Sequence, residues 1–297
     1  MNFFACILAV AVASQFTAGS IIQGHSEKQP LQEILQFDSG LNPIAPTQSD
    51  SSLLTTCNGV LNSTSGGIAY KAFEPIAANE RCVWTIRGGN AGEFSLNVLN
   101  IGSLGSQDTQ VIVTCLRHRS TTTHINVNQT GSVNGVSSCN LLVITLASGS
   151  DVSDSTGFVL EYSVLRAGSL SSRSQDYIVN AGNAAIISYP DLPLSYTNSE
   201  LSTFVILPAQ GSTTNLIYVR DSLEGTTCYD LLAVYRFNAS STLQTKWEYE
   251  GRLCGNVLSD IVTNNDLLLI TFESDHSVVG TGFQLALAAS TSNQCTS

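Results

Sequence analysis

The chain has little charge, and most of it is of one sign. Asp and Glu number 23 against 12 Lys and Arg, a formal net charge of −11, and charged residues make up only 12% of the chain. Nucleic acid and anionic membrane are therefore not expected as partners, because binding either needs clustered Lys and Arg. An acidic surface suits solubility, cations or basic proteins. Long apolar runs are also lacking. Beyond the first residues no stretch of eighteen apolar residues occurs, so no membrane-spanning helix is expected. Catalytic signatures are missing too: there is no GxSxG elbow, no HExxH, no phosphate-binding glycine loop and no CxxC zinc pair. Of the four histidines, His25, His118, His124 and His276, none stands in a recognisable pairing with a nucleophile. His118 and His124 fall in a turn-rich stretch and read as solvent-exposed loop side chains. The expectation is a protein that is not an enzyme.

What is present is material for sheets and turns. The chain has 297 residues, 43% of them hydrophobic, enough for two domains with real cores. Phe3 to Ala13 reads FFACILAVAVA and is followed by small residues up to Gly19, so residues 1–19 read as a secretory signal peptide. The last residues, TSNQCTS, carry no hydrophobic anchor tail. A soluble, secreted, extracellular product is expected. Of eight cysteines, Cys6 lies in the signal segment; the other seven should pair in an oxidising compartment, leaving one over. Three sequons, at Asn62, Asn128 and Asn238, are candidate glycosylation sites.

The chain also contains a repeat. Leu141–Leu146 reads LLVITL and Leu267–Phe272 reads LLLITF; Gly157–Tyr162 reads GFVLEY and Gly282–Leu287 reads GFQLAL. The offsets are 126 and 125 residues, and upstream Cys82–Ile86 aligns with Ser202–Ile206 at 120. Phe158, Leu160 and Tyr162 alternate with Val159 and Glu161, the period of a strand with one buried face. LLVITL and LLLITF are continuous apolar runs, as central strands require. Short strands separated by Gly, Ser, Asn and Pro predict an all-β protein of sandwich type. The expected organisation is a leader, partly disordered, over 20–56, a first domain over 57–165, a Ser-rich linker over 166–175, a second domain over 176–290 and a tail over 291–297. The best helical segment is one or two turns at Leu31–Phe37.

These residues resemble the CUB domain family. The resemblance is carried in the first copy by Cys57-Asn58-Gly59 and Cys82-Val83-Trp84-Thr85-Ile86. In the second it rests on Cys228-Tyr229-Asp230, Leu253-Cys254-Gly255, Phe272-Glu273-Ser274-Asp275 and Gly282-Phe283. It implies two tandem jelly-roll-like β-sandwiches with cystines Cys57–Cys82, Cys115–Cys139 and Cys228–Cys254. Loops of that size imply about 3–4 kcal/mol each by loop entropy. Ser202 stands where the second copy would carry its second cysteine, and Cys295 is left over, a candidate for a disulfide-linked dimer.

The resemblance further implies calcium as a cofactor, since carboxylate oxygens suit a hard cation. In the second copy the positions are Glu224, Asp230 and Asp275, with Asp221 competing with Glu224 and Tyr189 in support. In the first copy Asp108 and Asp151 form a weaker set, with Asn100 near the place of the leading acid. A second candidate surface is a hairpin of Leu231–Phe237 and Leu243–Tyr249 carrying Arg236, Lys246, Trp247 and Tyr249, although Trp247 and Tyr249 also fit the inward face of an ordinary strand. The functional reading is a secreted binding protein for an extracellular protein or glycan, with calcium in the second domain. The alternatives are a structural component of an extracellular layer, or a regulatory partner of a secreted protease.

Overall fold

The computed structural model describes residues 52–291, apart from 89, 103–108, 181–183, 191–193, 208–211, 225–226, 239–240, 242–245 and 255–266. The signal segment 1–19, most of the leader 20–56, Asp108 and Cys295 lie outside the described residues. The described chain is all strand and turn.

Four sheets form. The first joins β1 (Leu53–Leu54), β3 (Ser65–Pro75), β10 (Thr156–Ala167), β5 (Ala91–Asn100) and β8 (Gly131–Ser132), in that order. The second joins β2 (Gly59–Leu61), β4 (Arg81–Ile86), β9 (Leu141–Ala147), β6 (Gln110–Leu116) and β7 (Thr123–Val127). The third joins β11 (Asp176–Asn180), β13 (Leu201–Leu207), β17 (Leu267–Glu273), β15 (Leu231–Phe237) and β16 (Trp247–Leu253). The fourth has β12 (Ala184–Tyr189), β18 (Gly282–Thr291) and β14 (Ser212–Ser222). Sheets one and two enclose one apolar core, and sheets three and four another.

Alternation explains the outer sheets. In β10, Phe158, Leu160 and Tyr162 are buried while Glu161 is exposed. The first core centres on Trp84, whose ring lies 5.3 Å from Tyr70 and 5.4 Å from Phe158, and whose Nε1 donates to the Thr56 carbonyl at 2.9 Å. The second centres on Tyr189, Phe204, Phe272 and Phe283, with ring centroids 5.4–5.7 Å apart. Cystines Cys57–Cys82, Cys115–Cys139 and Cys228–Cys254 are formed. In the second sandwich Ser202 takes over the tie that Cys82 makes in the first: its Oγ accepts from the Gln175 amide at 3.0 Å and pairs with the Tyr189 hydroxyl at 2.9 Å.

Both sandwiches carry the same polar clamp. Tyr70 donates to the Glu80 carboxylate, and Tyr189 donates to Glu200 at 3.1 Å. The Glu80 amide donates to Ser148 Oγ at 2.8 Å and the Glu200 amide to Ser274 Oγ at 2.9 Å. Each serine hydroxyl passes a bond on, Ser148 to the Ala77 carbonyl and Ser274 to that of Thr197. A glycine is required beside each tyrosine, because a Cβ at Gly157 or Gly282 would stand 1.9 Å from the Tyr70 or Tyr189 carbonyl oxygen.

The central sheets do not alternate. Leu142, Ile144 and Leu146 of β9 face the first core, and Leu141, Val143 and Ala147 face the other way into a third apolar cluster. That cluster is shared. Val83, Ile112 and Val143 from sheet two meet Val205, Leu267 and Leu269 from sheet three, so the outer faces of the two central sheets pack on each other. This is why LLVITL and LLLITF are apolar at successive positions. Trp247 is buried in this layer, at 2% exposure, rather than in the core of its own sandwich, whereas Tyr249 is exposed at 57%. Segment 166–175 packs against both sandwiches: Leu170 joins the shared layer, the Ser171 carbonyl accepts from Asn90 Nδ2 at 3.2 Å, and Ser174 Oγ accepts from the Leu201 amide at 3.2 Å.

One buried ion pair pins the layer. Arg87 Nε and Nη2 donate to both Asp176 oxygens at 2.7 and 2.6 Å, and Nη2 reaches the Leu201 carbonyl at 2.8 Å. Arg87 and Asp176 are 4% and 2% exposed. Removing one partner strands a buried charge, which costs about 3–5 kcal/mol. Arg87→Ala should therefore lower the urea midpoint strongly, while Arg87→Leu/Asp176→Leu together should recover most of the loss.

His118 and His124 are not loop side chains in solvent. Both contact the second sandwich. The His124 ring stacks on Trp247 at 6.4 Å and 11°, meets Tyr235 edge-on at 6.2 Å, and bonds Thr114 Oγ1 through Nδ1 at 2.9 Å. Burial pushes its imidazole from 6.5 down to about 4. Because the unfolded chain takes the proton first, this contribution to stability is complete above pH 6.5 and is lost as pH falls toward 4. Acid titration followed by Trp fluorescence should show this loss in the wild type, and His124→Gln should flatten it.

Candidate metal centre

Three carboxylates converge at one end of the second sandwich. Glu224 lies two residues after β14, Asp230 directly precedes β15, and Asp275 lies two residues after β17. Adjacent strand ends thus bring together residues far apart in sequence. One oxygen from each lies within 4.8 Å of the others. It is the only group of three potential metal-ligating side chains among the described residues.

Hydrogen bonds hold the two aspartates. Asp230 is fully buried; its Oδ2 accepts from the Tyr196 hydroxyl at 2.5 Å and its Oδ1 from the Asp275 amide at 2.7 Å. The Asp275 Oδ1 accepts from the Ser277 amide at 2.7 Å, which holds its carboxyl below the usual range. Tyr196 also accepts from the Glu224 amide at 3.1 Å, so one hydroxyl fixes two of the three acids. Desolvation, followed by repulsion from Asp275 and Asp230, raises the Glu224 carboxyl. Its Oε2 is buried, with no hydrogen-bond partner among the described residues. An all-oxygen donor set with one unpartnered carboxylate oxygen and mutual repulsion fits a hard divalent cation, whose charge would relieve both.

Tyr189, expected to support the acids, does not reach them. Its hydroxyl bonds Glu200 and Ser202 inside the clamp described above. Tyr196 has the supporting place, and Leu194–Tyr196 offered no pattern that marked it. Asp221 sits in β14 opposite Phe283, and its side chain lies outside those described. In the first sandwich Asp151 is exposed and bonds Ser153 at 3.2 and 2.9 Å, much as Asp275 bonds Ser277. Asn100 is used locally, with its Oδ1 accepting from the Gly102 amide at 2.6 Å. Ile76 precedes Ala77 as Tyr196 precedes Thr197, so the position of the Tyr196 hydroxyl is taken there by an aliphatic side chain.

The other candidates are dispersed. Asn128 is exposed after β7, Asn62 is half-buried, and Asn238 Nδ2 donates to Glu248 at 3.2 Å. On the β15–β16 hairpin Arg236 is paired with Glu248 and Glu250 at 2.6 and 2.5 Å. No helix among the described residues is long and apolar enough to cross a membrane.

With this geometry in place, comparison with known proteins gives the following. Residues 176–287 match the CUB domain family. No curated protein matches the chain. Among solved structures, the CUB1-EGF-CUB2 domain of human MASP-1/3 is 17% identical, covering 77% of this chain and 100% of that one, at a TM-score of 0.31. The CUB1-EGF-CUB2 domains of rat MASP-1 are 15% identical, covering 78% and 99%, at 0.30. The full extracellular region of zebrafish Gpr126/Adgrg6 is 15% identical, covering 81% and 38%, at 0.29. The family match makes residues 176–287 a CUB domain, an all-β, non-catalytic architecture consistent with a protein-interaction module.

Tyr196→Phe removes a hydrogen bond to a buried carboxylate and should cost about 1.5–3 kcal/mol. Chemical denaturation should show a lower midpoint than for the wild type.

Proposed function

We propose that the protein is a secreted, non-enzymatic binder of an extracellular protein or glycan, built from two CUB-like units over 57–165 and 176–290, with calcium held by Glu224, Asp230 and Asp275. The observation that carries this reading is the convergence of the three carboxylates within 4.8 Å around the Tyr196 hydroxyl. A bound divalent cation would offset most of the cluster's charge and order the segments around residues 224, 230 and 275 as one edge. That edge is the proposed recognition surface. Tyr229 beside it is 47% exposed, and an exposed aromatic next to ordered charge is a fitting anchor for a partner.

The first unit serves as scaffold in this reading, since Ile76 leaves it without the orienting hydroxyl. Its two sequons, at Asn62 and Asn128, and the one of the second unit, at Asn238, are proposed glycan acceptors, Asn128 being exposed. Isothermal titration of the intact chain with calcium should give a single site with a Kd of about 0.1–1 mM, the range of extracellular modules. Asp275→Ala should abolish the heat without unfolding the protein. Silence of the wild type at millimolar calcium would refute the metal.

A further inference from the structure

The residues around the three acids are gripped by the other sandwich. Arg117, His118 and Arg119 lie in the turn between β6 and β7. His118 bonds the Ser274 carbonyl through its ring at 2.7 Å. The Arg119 amide donates to Glu273 Oε2 at 2.6 Å, and its Nη1 donates to the Tyr229 carbonyl at 2.6 Å. Ser274 directly precedes Asp275, and Tyr229 directly precedes Asp230. Two residues of the first unit therefore hold the peptide groups that carry two of the three carboxylates.

The turn is stiff enough to transmit this. Arg117 donates to Ser138 Oγ at 2.8 Å and to the Gly135 carbonyl at 3.0 Å. The His118 amide donates to Asn140 Oδ1 at 2.9 Å, next to the Cys115–Cys139 cystine that fastens β6 to this region. Thr122 adds a bond from its Oγ1 to the Tyr235 hydroxyl at 2.8 Å. The turn is thus braced on its own side and clasped on the other.

We infer that His118 and Arg119 are positioning residues for the cation site, so that metal binding in the second unit and docking of the first unit's β6–β7 turn are one coupled equilibrium. This rests on the calcium reading above. A cation that draws Asp230 and Asp275 together also fixes the Tyr229 and Ser274 carbonyls, which are the acceptors the turn needs. Coupling of this kind is reciprocal: whatever docking does for the metal, the metal does for docking. A site wholly contained in the second unit would leave the turn indifferent to calcium.

The test is hydrogen–deuterium exchange of the intact chain with and without millimolar calcium, alongside the calcium titration. Amides of 117–120 should exchange at least about five-fold more slowly with calcium, the low end of ordinary coupling. The effect should vanish in Asp275→Asn, and should also vanish in His118→Ala/Arg119→Ala while calcium heat is retained with altered affinity. Calcium heat with no change in exchange over 117–120 would overturn this inference and leave the proposed function standing. Slowing that persists in the double variant would also overturn it. Absence of any calcium heat in the wild type would remove both. The wild-type comparison decides the matter even if the double variant does not fold.

Discussion

The structure depends on two sheets that are buried on both faces. In an ordinary sandwich each sheet has a core face and a solvent face, and its sequence alternates accordingly. Here β4, β6 and β9 on one side, and β13, β15 and β17 on the other, each use one face for their own core and the opposite face for the other sandwich. Each fully buried Val, Leu, Ile or Phe contributes roughly 1.5–3 kcal/mol. The shared layer is therefore an extension of the folding core and not a loose contact. The Arg87–Asp176 pair adds direction to that non-directional attraction, since its bidentate geometry is satisfied in one register only.

From this packing comes the position of the acidic cluster. Strand ends at one edge of the second sandwich gather Glu224, Asp230 and Asp275, and the shared layer presses the β6–β7 turn against the backbone just before two of them. The two sandwiches begin from the same polar clamp, Tyr70–Glu80–Ser148 and Tyr189–Glu200–Ser274. They diverge where Ile76 in one faces the role of Tyr196 in the other. A single hydroxyl separates a position that can orient acids from one that only fills space.

Much of this was readable in the sequence, for physical reasons that can be named. Period-two alternation in GFVLEY and GFQLAL marked strands, because side chains of a strand point to opposite faces. The acids Glu224, Asp230 and Asp275 were readable from the resemblance of their surroundings. Tyr196 was not, because a lone Tyr between Ser and Thr carries no local signal, and Tyr189 in Ser-Tyr-Pro looked more distinctive. His118 and His124 misled because turn-rich flanks suggest solvent, and no local pattern records what a distant domain lays over a turn.

The sequence therefore carried the strands, which follow from periodicity, and named the three acids, which follow from the resemblance of their surroundings. Its uninterrupted runs LLVITL and LLLITF signalled burial on both faces without saying against what. The partner of those second faces, the tyrosine that orients the acids and the turn that clasps them all come from contacts between residues some 30 to 156 positions apart. Such contacts leave no trace in local pattern, because hydrophobic burial is non-directional and only the folded arrangement selects which surfaces meet.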